Sequence, residues 1–81
     1  MKSGNSKIQD DLLYYREYIK DLIVNARRKD DITQTQLAKL IGVSQSKISK
    51  FENGTLEFSA SELFVCCGAL NIRLSTKTVL R

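Results

Sequence analysis

The sequence predicts an all-α fold, four helices in one small domain, carrying a short C-terminal β-strand. Three observations predict it. Apolar side chains recur in steps of three and four from Ile8 to Ala26. Three Ser/Thr-x-x-Glu/Gln boxes stand where helices would begin. After Asn71 the apolar period falls from that of a helix to two.

In the first element Ile8, Leu12, Tyr15, Ile19, Leu22, Ile23 and Ala26 draw one stripe along an amphipathic helix. Ser6-Lys7-Ile8-Gln9 fits a capping box at its start. Asp10 and Asp11 lie towards that end and Arg27, Arg28 and Lys29 at the other, as the helix dipole favours. The predicted helix runs from about residue 7 to residue 29. Thr33-Gln34-Thr35-Gln36 opens a second, short helix with Leu37, Ala38, Leu40 and Ile41 turned inward, and Gly42 stops it. Ser44 is the predicted N-cap of a third helix, Gln45 to Asn53, anchored by Ile48 and Phe51 and ended by Gly54. Ser59-Ala60-Ser61-Glu62 opens a fourth, made strongly apolar by Leu63, Phe64, Cys66, Cys67 and Leu70. Beyond it Ile72, Leu74, Thr76, Thr78 and Leu80 alternate with Arg73, Ser75, Lys77 and Val79, which predicts a strand over about 72–80. With no strand elsewhere to pair with, that strand is expected to meet its own copy across a twofold axis and to clasp a homodimer.

Composition bounds the function. At 81 residues the chain is one domain of marginal stability, able to bury only about 60 % of the surface its unfolded form exposes. It has 42 % hydrophobic and 27 % charged residues, a globular balance. Histidine is absent, which removes the commonest general base and zinc ligand. The adjacent Cys66 and Cys67 lie in an apolar run and read as buried small hydrophobes. The expectation is a non-enzymatic protein without cofactor or metal. No apolar run is long enough for a membrane span, and MKSGNSKIQDD lacks a signal-peptide core, so a cytoplasmic location is expected.

The segment 34–54 concentrates the signal. Two helices joined by a short glycine-containing turn make a helix-turn-helix when their crossing is steep, and the small Ala38 lets them approach while Gly42 supplies a positive φ. Leu37, Ile41, Val43, Ile48 and Phe51 form the underside. The run Gln34, Leu37, Ala38, Gly42, Val43, Ile48, Phe51, Asn53, Gly54 resembles the phage Cro and lambda-type repressors, the XRE type of helix-turn-helix, and the resemblance extends over about 23–70. It implies a dimeric, sequence-specific binder of double-stranded DNA whose second motif helix enters the major groove of a palindromic operator.

Charge agrees with this. Ile32 to Phe51 holds Lys39, Lys47 and Lys50 and no acid, whereas Glu52 to Glu62 holds three acids and no base. With Ile48 and Phe51 inward, Gln45, Ser46 and Lys50 project outward. Glutamine suits adenine, lysine suits guanine and serine is tolerant, so these three are the candidate base readers. The resemblance assigns Gln34 to a phosphate and to bracing Gln45, and Asn53 to the DNA backbone. Ser44, Lys47, Ser49 and Lys39 are further candidates for phosphate contact, Ser44 being equally explained by capping and Lys39 by solvation. Tyr14, Tyr15 and Tyr18 are read as packing residues, with base stacking the alternative.

The long first helix and strand-like tail depart from a phage repressor towards the DNA-binding antitoxin branch, so a toxin protein is a possible second partner. A protein-interaction adaptor that no longer binds DNA is the alternative from a different class. No effector domain is expected.

Overall fold

The computed structural model describes residues 2–73, with side chains described from residue 10 onward. Helices α1 (Lys2–Lys29), α2 (Gln34–Ile41), α3 (Gln45–Glu52) and α4 (Ala60–Ala69) follow in order. Among the described residues there is no strand.

The starts of α2, α3 and α4 are set by side chains. Thr33 and Ser59 each accept the N3 backbone N–H while Gln36 and Glu62 reach back to the cap N–H, completing two capping boxes. Ser44 Oγ accepts the Lys47 N–H at 3.1 Å. The box at Ser6 does not open α1, which already begins at Lys2. Ser and Gln cost a helix interior little, so the same string is also compatible with mid-helix.

All four helices end in one way. Asp31, Gly42, Gly54 and Asn71 take left-handed backbone, with φ of 57°, 79°, 86° and 62°. The N–H of the following residue turns back to a carbonyl of the last helical turn: Ile32 to Arg27 at 3.0 Å, Val43 to Ala38 at 3.0 Å, Thr55 to Lys50 at 2.9 Å and Ile72 to Cys67 at 2.8 Å. At Gly42 nothing lies within 4 Å of where a Cβ would sit, so the positive φ and not crowding requires glycine. Ile32, Val43, Leu56 and Ile72 then pack against the core, each fixing the chain's exit from its helix.

That closure overturns the expected C-terminal strand at Ile72, where it was to begin. Ile72 donates its N–H to α4 and packs its side chain against this chain's own core, so it closes a helix and does not begin a strand. An apolar residue two places after a helix cap looks, in sequence, like the start of an alternating strand. Leu74, Thr76, Thr78 and Leu80 lie outside the described residues.

Ile23, Leu37, Ala38, Ile48, Phe51, Phe58, Leu63, Cys66, Cys67 and Leu70 form the core. The expected inward turn of Leu40 fails, and Phe64 is open for the same reason. Leu40 is 60 % and Phe64 65 % exposed, because at about 100° per residue each sits some 110° round its helix from the buried face. Leu12 and Tyr15 lie on the α1 stripe yet are 58 % and 59 % exposed. Twenty-eight residues make a helix about 42 Å long, and the short α2 to α4 cover only its C-terminal half.

Candidate nucleic-acid interface

Helix α3 presents two opposed faces. Ile48 and Phe51 are buried beneath it, and Phe51 stacks on Phe58 with ring centroids 4.0 Å apart. Gln45, Ser46 and Lys50 are exposed on the other side, with Ser44 at its head and Asn53 at its foot. The turn at Gly42 therefore brings the three predicted base readers onto one open face. Gln34 is half-buried at the first position of α2, and Lys39 is exposed near the end of that helix.

A chain of hydrogen bonds runs from the interior to this face. Arg27, only 8 % exposed, grips Glu52 with both arms, Nε to Oε2 at 2.6 Å and Nη2 to Oε1 at 2.8 Å, and donates Nη1 to the Ile32 carbonyl at 2.7 Å. Glu52 Oε1 also accepts Gln34 Nε2 at 2.9 Å. Since a carboxylate only accepts, the Gln34 amide must point its nitrogen at Glu52 and its oxygen away. That oxygen accepts Gln45 Nε2 at 2.7 Å. The brace between Gln34 and Gln45 is therefore present, and its polarity is fixed from the core. Gln45 retains its carbonyl oxygen and a second N–H, the pair of groups that matches adenine N6 and N7.

Glu52 is thus not the first residue of an acidic surface. Burial pushes its carboxyl up, but the hydrogen bonds of Arg27 and Gln34, with the charges of Arg27 and Arg28, outweigh this and hold it below the usual carboxylate range. Arg27 was legible only as a helix-end charge. Its signal was the spacing Ile19, Ile23, Arg27, which sets a charge on the apolar stripe and demands a buried partner. Phe58 was also unmarked in sequence, though it precedes the N-cap Ser59 and has Leu63 at N4, the pattern of a hydrophobic staple.

The remaining candidates divide. Asn53 Oδ1 accepts both the N–H and the hydroxyl of Thr55, so its side chain shapes the turn after α3. Ser49 is half-buried. Lys47 is directed sideways, its Nζ 2.5 Å from Glu62 Oε2 and 5.6 Å from the centroid of the Phe58 ring. Lys39 and Lys50 have no carboxylate at ion-pair distance among the described residues. Cys66 and Cys67 are buried; burial, with Cys67, Glu62 and Glu52 nearby, pushes the Cys66 thiol up to about 12. Burial raises Cys67 too, so both remain protonated packing groups.

A family model described as Helix-turn-helix matches residues 23–76, from the second half of α1 past the end of α4. The chain belongs to the XRE-type helix-turn-helix family, a family of DNA-binding regulators. It is similar to antitoxin PezA of Streptococcus pneumoniae serotype 4, with 32 % identity over 50 residues, 62 % of this chain and 32 % of that protein. The chain thus spans about a third of that relative's length. No solved structure matches it. No helix among the described residues is long and apolar enough to cross a membrane.

Proposed function

We propose that this chain is a sequence-specific transcriptional repressor that binds a palindromic duplex operator as a homodimer. Helix α3 enters the major groove, Gln45, Ser46 and Lys50 read base edges, and Gln34, Ser44, Ser49, Asn53 and Lys39 set the register on the phosphates. The observation that carries the reading is the relay from Arg27 through Glu52 and Gln34 to Gln45. A solvated helix face has no need of a buried ion pair fixing the amide orientation of one exposed glutamine. A reader of base edges does, because a flipped amide would meet adenine with donor and acceptor exchanged.

Dimerisation in this reading falls to helical surfaces, where Tyr15 and Tyr18 of α1 and Phe64 and Val65 of α4 are exposed. The testing experiment is selection from randomised duplexes followed by affinity measurement. A recovered twofold-symmetric site bound at least about a thousand-fold more tightly than random DNA supports it. Equal affinity for both discards sequence reading, and no affinity for either leaves the adaptor.

The similarity to antitoxin PezA favours a second reading, an antitoxin that also represses its own operon and has a toxin protein as second partner. Growth rescue on co-expression with a toxin encoded beside it would separate this from a solitary repressor.

A further inference from the structure

We propose that Glu62 restrains DNA binding by withholding Lys47 from the phosphates. The inference rests on the DNA-binding reading above. Of the three lysines on the acid-free segment 32–51, Lys39 and Lys50 are exposed, while Lys47 spans the gap from α3 to the head of α4. Its ammonium meets Glu62 Oε2 at 2.5 Å, and it lies beside the ring of Phe58, which is 1 % exposed and immobilised against Phe51.

Glu62 cannot follow Lys47 outward, because its second oxygen Oε1 is the acceptor for the Ser59 N–H at 2.9 Å, half of the box that starts α4. The carboxylate is a fixed anchor. It also sets a negative charge beside the recognition helix. The hydrogen bond from Lys47, then that from the Ser59 backbone, hold the Glu62 carboxyl below the usual range, so this charge is present at neutral pH. A lysine neutralised in this way releases no counterion when the protein binds. The device therefore lowers the sequence-independent part of affinity and leaves base reading alone, which raises the ratio of specific to non-specific binding.

The test is the salt dependence of binding to a random-sequence duplex for wild type, Glu62→Gln, Lys47→Gln and the double variant. Glutamine at 62 can still accept the Ser59 N–H, and thermal unfolding checks that each variant is folded. Glu62→Gln should steepen the slope of log K against log salt by about 0.9 and tighten binding about five-fold near 0.15 M salt. Lys47→Gln should leave the wild-type slope unchanged and abolish the gain in the double variant. An unchanged slope in Glu62→Gln overturns the proposal, as does a slope flattened by about one in Lys47→Gln alone, since Lys47 would then already touch a phosphate. A wild-type chain with no affinity for any duplex overturns the DNA-binding reading together with it.

Discussion

Helix α3 is tied to its neighbours by two ion pairs that use the same chemistry at opposite depths. Towards α1, Glu52 meets Arg27 with side chains 6 % and 10 % exposed; towards α4, Lys47 meets Glu62 with side chains 35 % and 31 % exposed. Depth decides what each can do. A buried pair is costly to break, because removing one partner strands a charge in low dielectric, so it can fix the geometry of what is bonded to it. A pair a third exposed is screened and can be traded for another partner, so it can adjust affinity without holding the fold.

The largest effect that tests this contrast is expected from Glu52→Gln. It leaves the buried Arg27 guanidinium without its counter-charge and should destabilise the domain by about 3–5 kcal/mol, read from denaturant unfolding. The paired change Arg27→Met with Glu52→Leu removes both charges and should recover most of that loss while still weakening operator binding, since Gln34 loses its anchor. A stable double variant with unimpaired base discrimination would show that the buried pair serves packing only.

The pH dependence has a defined sign. The Glu52 carboxyl is depressed below its ordinary value of 4.5, so the unfolded chain takes up this proton before the folded one does. Its contribution is present in full above the unfolded value, and is lost as pH falls from 4.5 through the lower folded value. Unfolding monitored between neutrality and pH 3 should show a loss of stability in that window, and the Arg27→Met, Glu52→Leu variant should lose less of it. Equal acid sensitivity in the two proteins would remove Glu52 as the cause.

At the outer end of the relay the expected effects are smaller. Gln45→Ala should cost about 1–3 kcal/mol at the selected site and little on random DNA, because a bidentate base contact is lost while phosphate contacts remain. Gln34→Ala should give part of that loss of discrimination, as Gln45 keeps its contact groups but loses its brace. The comparison is made by affinity for the selected duplex against single-base variants of it. A uniform loss on all duplexes in Gln45→Ala would reassign that residue to positioning.

Much of this was legible in the sequence, for reasons that are local. Thr33, Ser44 and Ser59 start helices by bonds that reach only three residues, and Gly42 and Gly54 end them through backbone freedom that is a property of glycine itself. Asp31 and Asn71 perform the same closure less conspicuously, so in sequence Ile72 resembles the start of a strand. What lay beyond reach was the depth of each charge. Glu52, Glu57 and Glu62 form one acidic block in sequence, yet one is buried on Arg27, one is exposed near Arg16 at 3.7 Å and one is bound to Lys47. Spacing along the chain shows which residues share a helix face. It does not show how far the neighbouring element extends over that face, which is also why Tyr15 and Leu12 lie open on the correct stripe.

The smallest effect on the fold is expected from Lys47→Gln, and it completes the contrast with Glu52→Gln. Lys47 lies on the same eight-residue helix as Glu52, five positions away, and its contact with Glu62 is the shorter of the two ion pairs. If bond length set the contribution to stability, Lys47→Gln would destabilise at least as much as Glu52→Gln. Solvent argues otherwise: both side chains are about a third exposed, so water replaces the lost contact on each side. The thermal midpoint of Lys47→Gln should stay near that of wild type while that of Glu52→Gln falls steeply. A loss in Lys47→Gln as large as in Glu52→Gln would mean that the α3 to α4 contact holds the domain together, and the division of labour between the two pairs would have to be given up.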